Sequence, residues 1–298
     1  MINVLVTGAD GQLGSHLKEW GAQMPDIRII PLTRRQLDIC QTDRFAQYLK
    51  LYWPDYVINA AAYTDVEKAE ENQDTAFNIN AHALEGMGAM CKKYQIPIIH
   101  ISTDYVYHAT DNAPIDESRP ANPKGVYARS KYAGEQILLK SGAPSLIIRT
   151  SWLYSTRGKN FVLTMLELAK SKKSIRVVDD QIGSPTYAKD LAQALLHIIR
   201  KSTVERIPWQ GEIYNYANEG YTSWWGFAQK IFELKGIKID VQAISSSEYP
   251  SRVERPPNSR LDLHKIVRTW QVPVRHWEIA LREMLSEYRD KRKMPWQR

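Results

Sequence analysis

The run Ile2-Asn3-Val4-Leu5-Val6-Thr7 stops at Gly8, and helical spacing of apolar residues begins at Leu13, with Leu17 and Trp20 following. Between them stands Gly8-Ala9-Asp10-Gly11-Gln12-Leu13-Gly14. A strand that passes to a helix through three glycines at this spacing leaves few folds open. The glycines permit a tight turn, close approach of the backbone to a pyrophosphate and close packing of helix on strand, while the helix start offers free N–H groups and a positive dipole end. With 15 glycines in 298 residues the spacing is rare by chance, and its strand-to-helix placement is the context such a motif requires.

The rest of the chain keeps the same alternation. A second strand over 27–32 runs into Thr33-Arg34-Arg35-Gln36-Leu37-Asp38-Ile39. In a dinucleotide-binding fold this strand end faces the adenosine ribose, where an acidic residue selects NAD and an arginine accommodates the 2′-phosphate of NADP. Arg34 and Arg35 lean toward NADPH and leave NADH open. A helix is expected over about 43–52, a strand over 56–62, a long helix over about 74–94, and a strand over 97–104 with hydroxyls at its C-terminal end, where open parallel sheets bind ligands. A Pro-, Asp- and Asn-rich loop, 108–124, is long enough to be functional. Further strands are expected over 145–151, 175–178 and 212–217, with helices over about 160–171 and up to about 201.

This pattern predicts an α/β fold with a doubly wound parallel sheet. After about Gly220 it changes: helices over 224–234 and 277–288 flank an irregular stretch holding Arg255-Pro256-Pro257-Asn258-Ser259-Arg260-Leu261-Asp262. The expected division is a dinucleotide-binding part, 1–151 with about 186–218, and a smaller substrate lobe, about 152–185 with 219–298.

Composition excludes several classes. No apolar run approaches the ~18 residues of a membrane span, and the first apolar run lacks the basic flank of a signal peptide. Cys40 and Cys91 lack ligand spacing, which points to a reducing cytoplasm without disulfide or zinc, both cysteines serving as packing residues. The net charge of +7 is dispersed, with one dense basic run over 289–293, so it argues for no nucleic-acid face.

Tyr127-Ala128-Arg129-Ser130-Lys131 places a phenol and an ammonium four residues apart, on one face of a helix. A positive charge beside a phenol favours the phenolate and brings its pKa of ~10 toward useful proton transfer. With 16 tyrosines a lone Tyr-x-x-x-Lys arises about once by chance, so its weight comes from Thr103 upstream and the glycine turn.

Taken together, Gly8-x-x-Gly-Gln-Leu-Gly14, Leu37-Asp38-Ile39, Asn59-Ala-Ala-Ala-Tyr-Thr64, Ser102-Thr-Asp-Tyr-Val106, Tyr127-x-x-Ser-Lys131-x-x-Gly-Glu135, Arg149-Thr-Ser-Trp152, Asp180-Gln-x-Gly-x-Pro-Thr186 and Arg255-Pro-x-Asn-Ser-x-Leu-Asp262 resemble the dTDP-4-dehydrorhamnose reductases. These are extended short-chain dehydrogenases/reductases of dTDP-L-rhamnose biosynthesis. The resemblance implies Thr103, Tyr127 and Lys131 as the catalytic group, with Tyr127 protonating the C4 oxygen of a keto sugar. It implies Gly8, Gly11, Gln12, Leu13, Gly14, Arg34, Asp38, Ile39, Ala60, Ala61 and Tyr63 along the cofactor, joined by Tyr127 and Lys131. Thr103, Asp104, Trp152, Asn160, Gln181 and Arg255 would meet the dTDP-sugar. It implies no metal at the reacting carbon, leaves open a Mg2+ at a subunit contact, and allows a monomer or homodimer. His108-Ala109 and Ser155 depart from the family pattern, which bears on substrate detail. The competing readings are a related nucleotide-sugar reductase, epimerase or dehydratase, against which Arg34 and the single carboxylate of Thr103-Asp104 count, and a non-catalytic cofactor-binding regulatory subunit.

Overall fold

The computed structural model describes residues 1–288, so the basic run at 289–293 lies outside the described residues. The first half of the chain runs β1 (Ile2–Thr7), α1 (Gln12–Gly21), β2 (Ile27–Leu32), α2 (Thr42–Tyr52), β3 (Tyr56–Asn59), α3 (Val66–Ala69), α4 (Gln73–Phe77), α5 (Ala83–Tyr94), β4 (Ile98–Thr103), α6 (Gly125–Ser141) and β5 (Ser145–Thr150). Then come β6 (Leu153–Tyr154), α7 (Phe161–Leu168), β7 (Ser174–Val178), β8 (Ile182–Gly183), β9 (Thr186–Tyr187), α8 (Ala188–Glu205) and β10 (Glu212–Tyr216). The chain continues through β11 (Thr222–Ser223), α9 (Trp224–Lys235), β12 (Asp240–Ile244), β13 (Asn258–Ser259), α10 (His264–Trp270) and α11 (Trp277–Glu287).

Six strands form one parallel sheet in the order β10-β5-β4-β3-β1-β2. The order reverses between β1 and β3, and that crevice at the strand C-termini is where such sheets bind ligands. The strands read as β-branched apolar runs because both faces are covered. Val4, Val6, Ile58, Ile99 and Ile148 pack toward α1 and α8; Leu5, Val57, Ile98 and Ile147 pack toward α2, α5 and α6. A separate core gathers Tyr154, Val162, Ile175, Phe227, Ile231, Trp277 and Leu281.

Five details differ from the sequence-based expectation. The strand expected over 56–62 ends at Asn59, and its Ala-rich continuation is a loop whose Tyr63 backbone is bonded at both N–H and C=O by Asn80. The long helix is interrupted by a π-helical turn, Asn78–His82, which turns Asn80 inward. The strand near 175–178 pairs in parallel with β12, outside the main sheet. The stretch after Gly220 holds three short strands, β11, β12 and β13, and a helix, α10, that were not expected, and Ile266 and Trp270 of α10 join the apolar cluster on the main sheet. Cys91 is buried as expected, whereas Cys40 is exposed, because the segment after β2 runs over the surface.

Candidate active site

Gly8 has φ +66°, and a Cβ there would stand 2.7 Å from the Ala61 nitrogen; a Cβ at Gly14 would stand 2.4 Å from the Gly8 carbonyl oxygen. These two glycines let the turn close and α1 seat against β1. Gly11 differs, since its Cβ would meet only the Gly8 oxygen at 3.1 Å. It caps α1, whose first turn carries no acidic residue and no side-chain cap, so the helix N–H groups stay available. Gly8, Asp10, Gly11, Arg34, Leu37, Asp38, Ile39, Ala60 and Ala61 line a cavity of about 220 Å³. A bare helix start, an open glycine and an arginine at the rim form a donor set that fits a phosphorylated dinucleotide.

Not all of the turn faces that cavity. Leu13 sends its side chain into the apolar core, leaving its backbone at the helix start. Gln12 Oε1 accepts from Asn160 Nδ2 at 2.9 Å. Asn160 caps α7 through Leu163 N–H and donates as well to the Ser155 carbonyl, so its amide is largely spent on structure.

Beside this cavity the C-terminal end of β4 meets the start of α6. The Thr103 hydroxyl donates to Asp104 Oδ1 at 3.1 Å and accepts from the Tyr105 N–H. Thr103 also acts on the Tyr127 phenol to lower its pKa, which is nonetheless pushed up to about 12, first by burial and further by the Asp104 charge. Sequence reasoning expected Lys131 to lower it. In the structure Lys131 Nζ is turned to the Ile101 carbonyl at 2.7 Å and to His100 Nε2 at 3.1 Å, and burial is the largest effect at the phenol. Lys131, 1% exposed, is itself pulled down to about 8 by burial, with Glu135 opposing. Burial lifts the Asp104 carboxyl to about 6.

Three side chains hold this group in place: Glu135 and Arg149, which stand in the family motifs without an expected role, and Asn80, which sequence reasoning passed over. Glu135, fully buried, accepts from Ser102 Oγ at 2.5 Å and from Arg149 Nε at 2.9 Å. The Arg149 guanidinium lies over the Tyr107 ring, 4.6 Å from its centroid. Asn80 Nδ2 reaches Ser130 Oγ at 3.0 Å, tying the Tyr63 loop to α6. Besides the motifs, the advance signal for Glu135 and Arg149 was a charged residue at a position that the helix or strand pattern assigns to the core.

A larger cavity, about 650 Å³, is lined in part by Asn160, Lys159, Arg176, Gln181, Trp224 and Arg255. Gln181, 7% exposed, donates to Ser246 Oγ at 2.8 Å, and Arg255 Nη2 donates to Glu67 Oε1 at 3.1 Å. The expected Trp152, with φ +47°, stacks on Trp224 at 3.6 Å, so the aromatic wall is a pair of which Trp224 lines this cavity. His108, where the family pattern has Asp or Gly, adopts φ +42° and contacts Glu254 Oε1 at 2.9 Å, next to Arg255.

A doubly wound sheet with a glycine turn at its switch point and a Thr/Tyr/Lys group at the next strand end defines an oxidoreductase of the short-chain dehydrogenase/reductase type. The family model "RmlD substrate binding domain" matches residues 2–290. The chain is 38% identical over 287 residues to the spore coat polysaccharide biosynthesis protein SpsK of Bacillus subtilis, covering 96% of this chain and 98% of the relative. It is 36% identical over 291 residues to the dTDP-4-dehydrorhamnose reductase of Aggregatibacter actinomycetemcomitans, covering 95% and 98%. The crystal structure of dTDP-4-dehydrorhamnose reductase from Bacillus anthracis in complex with NADP superposes with a TM-score of 0.89 at 35% identity, covering 96% of this chain and 100% of that one. The chain belongs to the dTDP-4-dehydrorhamnose reductase family.

Proposed function

We propose that this protein reduces the C4 keto group of dTDP-4-dehydro-β-L-rhamnose to give dTDP-β-L-rhamnose, with NADPH as the reductant, in a pathway feeding surface polysaccharide. The observation that carries the reading is Thr103, at the C-terminal end of β4, acting on the Tyr127 phenol of α6, in a sheet whose switch point holds the glycine-lined cavity. When bound, the dihydronicotinamide supplies a hydride to C4.

The chain's own residues supply the proton and the geometry. Tyr127, neutral at working pH, holds its proton for the C4 oxygen, and Thr103, beside the phenol, hydrogen-bonds the same substrate oxygen. Asp104, buried beside Thr103, meets a sugar hydroxyl. Lys131, on the same helix face as Tyr127, offsets the charge left on the phenol as its proton departs. Gly8, Gly11, Gly14 and the α1 start receive the pyrophosphate, with Arg34 at the 2′-phosphate and Asp38, Ile39, Ala60, Ala61 and Tyr63 bordering the adenosine side. Arg255 and Gln181 meet the nucleotide-sugar phosphates, and the Trp152–Trp224 pair walls the sugar. We assign residues 1–151 with about 186–218 to the cofactor and about 152–185 with 219–298 to the sugar, α10 packing on the former.

Among the described residues no helix is long and apolar enough to cross a membrane, and no group of three His, Cys, Asp or Glu side chains is placed to hold a metal. The exposed, unpaired Cys40 supports a reducing cytoplasm as the site of action.

The test is loss of NADPH absorbance with dTDP-4-dehydrorhamnose made in situ, NADH run in parallel. Substrate-dependent oxidation is expected, and Tyr127→Phe is expected to bind cofactor normally while losing at least ~100-fold in turnover. Normal turnover by that variant would remove Tyr127 as the acid.

A further inference from the structure

Thr7, Asn59 and His100 are register partners on β1, β3 and β4, so their side chains form a row across the sheet. Each is at most 1% exposed. The Thr7 hydroxyl donates to Asn59 Oδ1 at 2.6 Å, Asn59 Nδ2 meets His100 Nδ1 at 3.1 Å, and His100 Nε2 meets Lys131 Nζ at 3.1 Å. A polar row through the centre of a sheet otherwise built of Val, Ile and Leu is costly unless every group is satisfied.

The donors and acceptors along this row decide its protonation. Asn59 Oδ1 accepts from Thr7 and from the Ala61 N–H at 3.3 Å, so turning the amide would set its NH2 against the Ala61 N–H. Its Nδ2 therefore faces His100 as a donor, and Nδ1 must accept. Burial and the neighbouring Lys131 hold His100 neutral, so its single proton sits on Nε2 and points at Lys131 Nζ. An N–H aimed at Nζ favours the amine, which has a lone pair to accept it, over the ammonium, which does not.

We propose that His100, with its tautomer fixed by Asn59, is a positioning residue that draws the titration of Lys131 down into the working pH range, making Lys131 a titrating charge rather than a permanent one. The proposal rests on the reading of Lys131 as the partner of Tyr127. The other charged group acting on Lys131 is Glu135 on its own helix, itself paired with Arg149 of β5, and Tyr127 stands one turn earlier on that helix. Loss of the Lys131 proton sets the basic limb of the turnover profile, because the amine no longer offsets charge on the phenol.

Two measurements test this, one of which needs no substrate. In the 15N-histidine-labelled wild-type chain, imidazole nitrogen shifts should report neutral His100 protonated at Nε2; protonation at Nδ1 would overturn the proposal whatever the enzyme reduces. In the NADPH oxidation assay, His100→Leu should move the basic limb of kcat up by about one pH unit, the size of one hydrogen bond. His100→Gln, whose amide presents an oxygen to Asn59 and an NH2 to Lys131, should restore the wild-type limb. A purely structural histidine would change stability and leave the limb in place, and a folded Leu variant with an unmoved or lowered limb would overturn the proposal. Where neither variant folds, the tautomer measurement decides. Where turnover is absent in the wild type, the functional reading fails and the tautomer result still stands.

Discussion

Glu135→Gln removes one charge from a pair that has no access to water. Glu135 is 0% and Arg149 3% exposed, and the contact is bidentate, with Nε at 2.9 Å from Oε1 and Nη2 at 2.5 Å from Oε2. The amide keeps the shape but leaves the guanidinium uncompensated under the active site, with the Tyr107 ring as its remaining favourable neighbour. Breaking such a pair costs about 3–5 kcal/mol, and a chain of this size loses roughly 2–3 °C of melting temperature per kcal/mol, so thermal unfolding should shift down by about 6–15 °C. Replacing both partners with apolar residues, Glu135→Met with Arg149→Leu, should recover most of that loss, because burying the two charges gains little over a packed core. Calorimetric or fluorescence-monitored melting reads both results. A shift below about 2 °C for Glu135→Gln would refute the reasoning, as would a double variant less stable than the single one.

Gly11→Ala should leave the melting temperature within about 2 °C of wild type while weakening NADPH binding at least ~10-fold by titration, whereas Gly14→Ala, whose Cβ has no room, should cost at least ~3 kcal/mol of stability. Asp104, lifted to about 6 from the ordinary 3.8, is harboured more easily as the acid: its contribution is fully present below about pH 4 and lost as pH rises through 6. Asp104→Asn should therefore be more stable than wild type at pH 7.5 by up to ~3 kcal/mol and show no such gain at pH 4, read from melting curves, while turning over more slowly. Arg34→Ala should lower the NADPH-to-NADH rate ratio by about 10-fold, and an unchanged ratio would free Arg34 of the 2′-phosphate.

The parallel sheet was legible because its strands are β-branched runs separated by amphipathic helices, and every main-sheet strand appears within a few residues of its expected place. The glycine turn was legible because backbone geometry requires those glycines. The row Thr7–Asn59–His100 was not, since each residue is unremarkable in its own strand and only the register brings the three together. Trp224 and Asn80 were missed for a related reason: a tryptophan opening an amphipathic helix reads as core, and the turn that brings Asn80 inward has no pattern of its own. Lys131 was placed correctly on the helix, but its charge effect on Tyr127 was overestimated because burial of both groups cannot be read from their spacing.

The π-turn at Asn78–His82 is, in length terms, one residue more than a regular helix would use. Within it the chain is phased so that Asn80 can grip the Tyr63 loop; behind it, Leu84, Met87 and Cys91 are phased onto the sheet. Deleting any one residue there would turn the following helix by about 100°, and one of the two sets would have to let go. The surplus residue thus acts as a reading-frame correction written into the fold. Among homologues, a one-residue gap at this point would mark a chain whose Tyr63 loop is held by some other means.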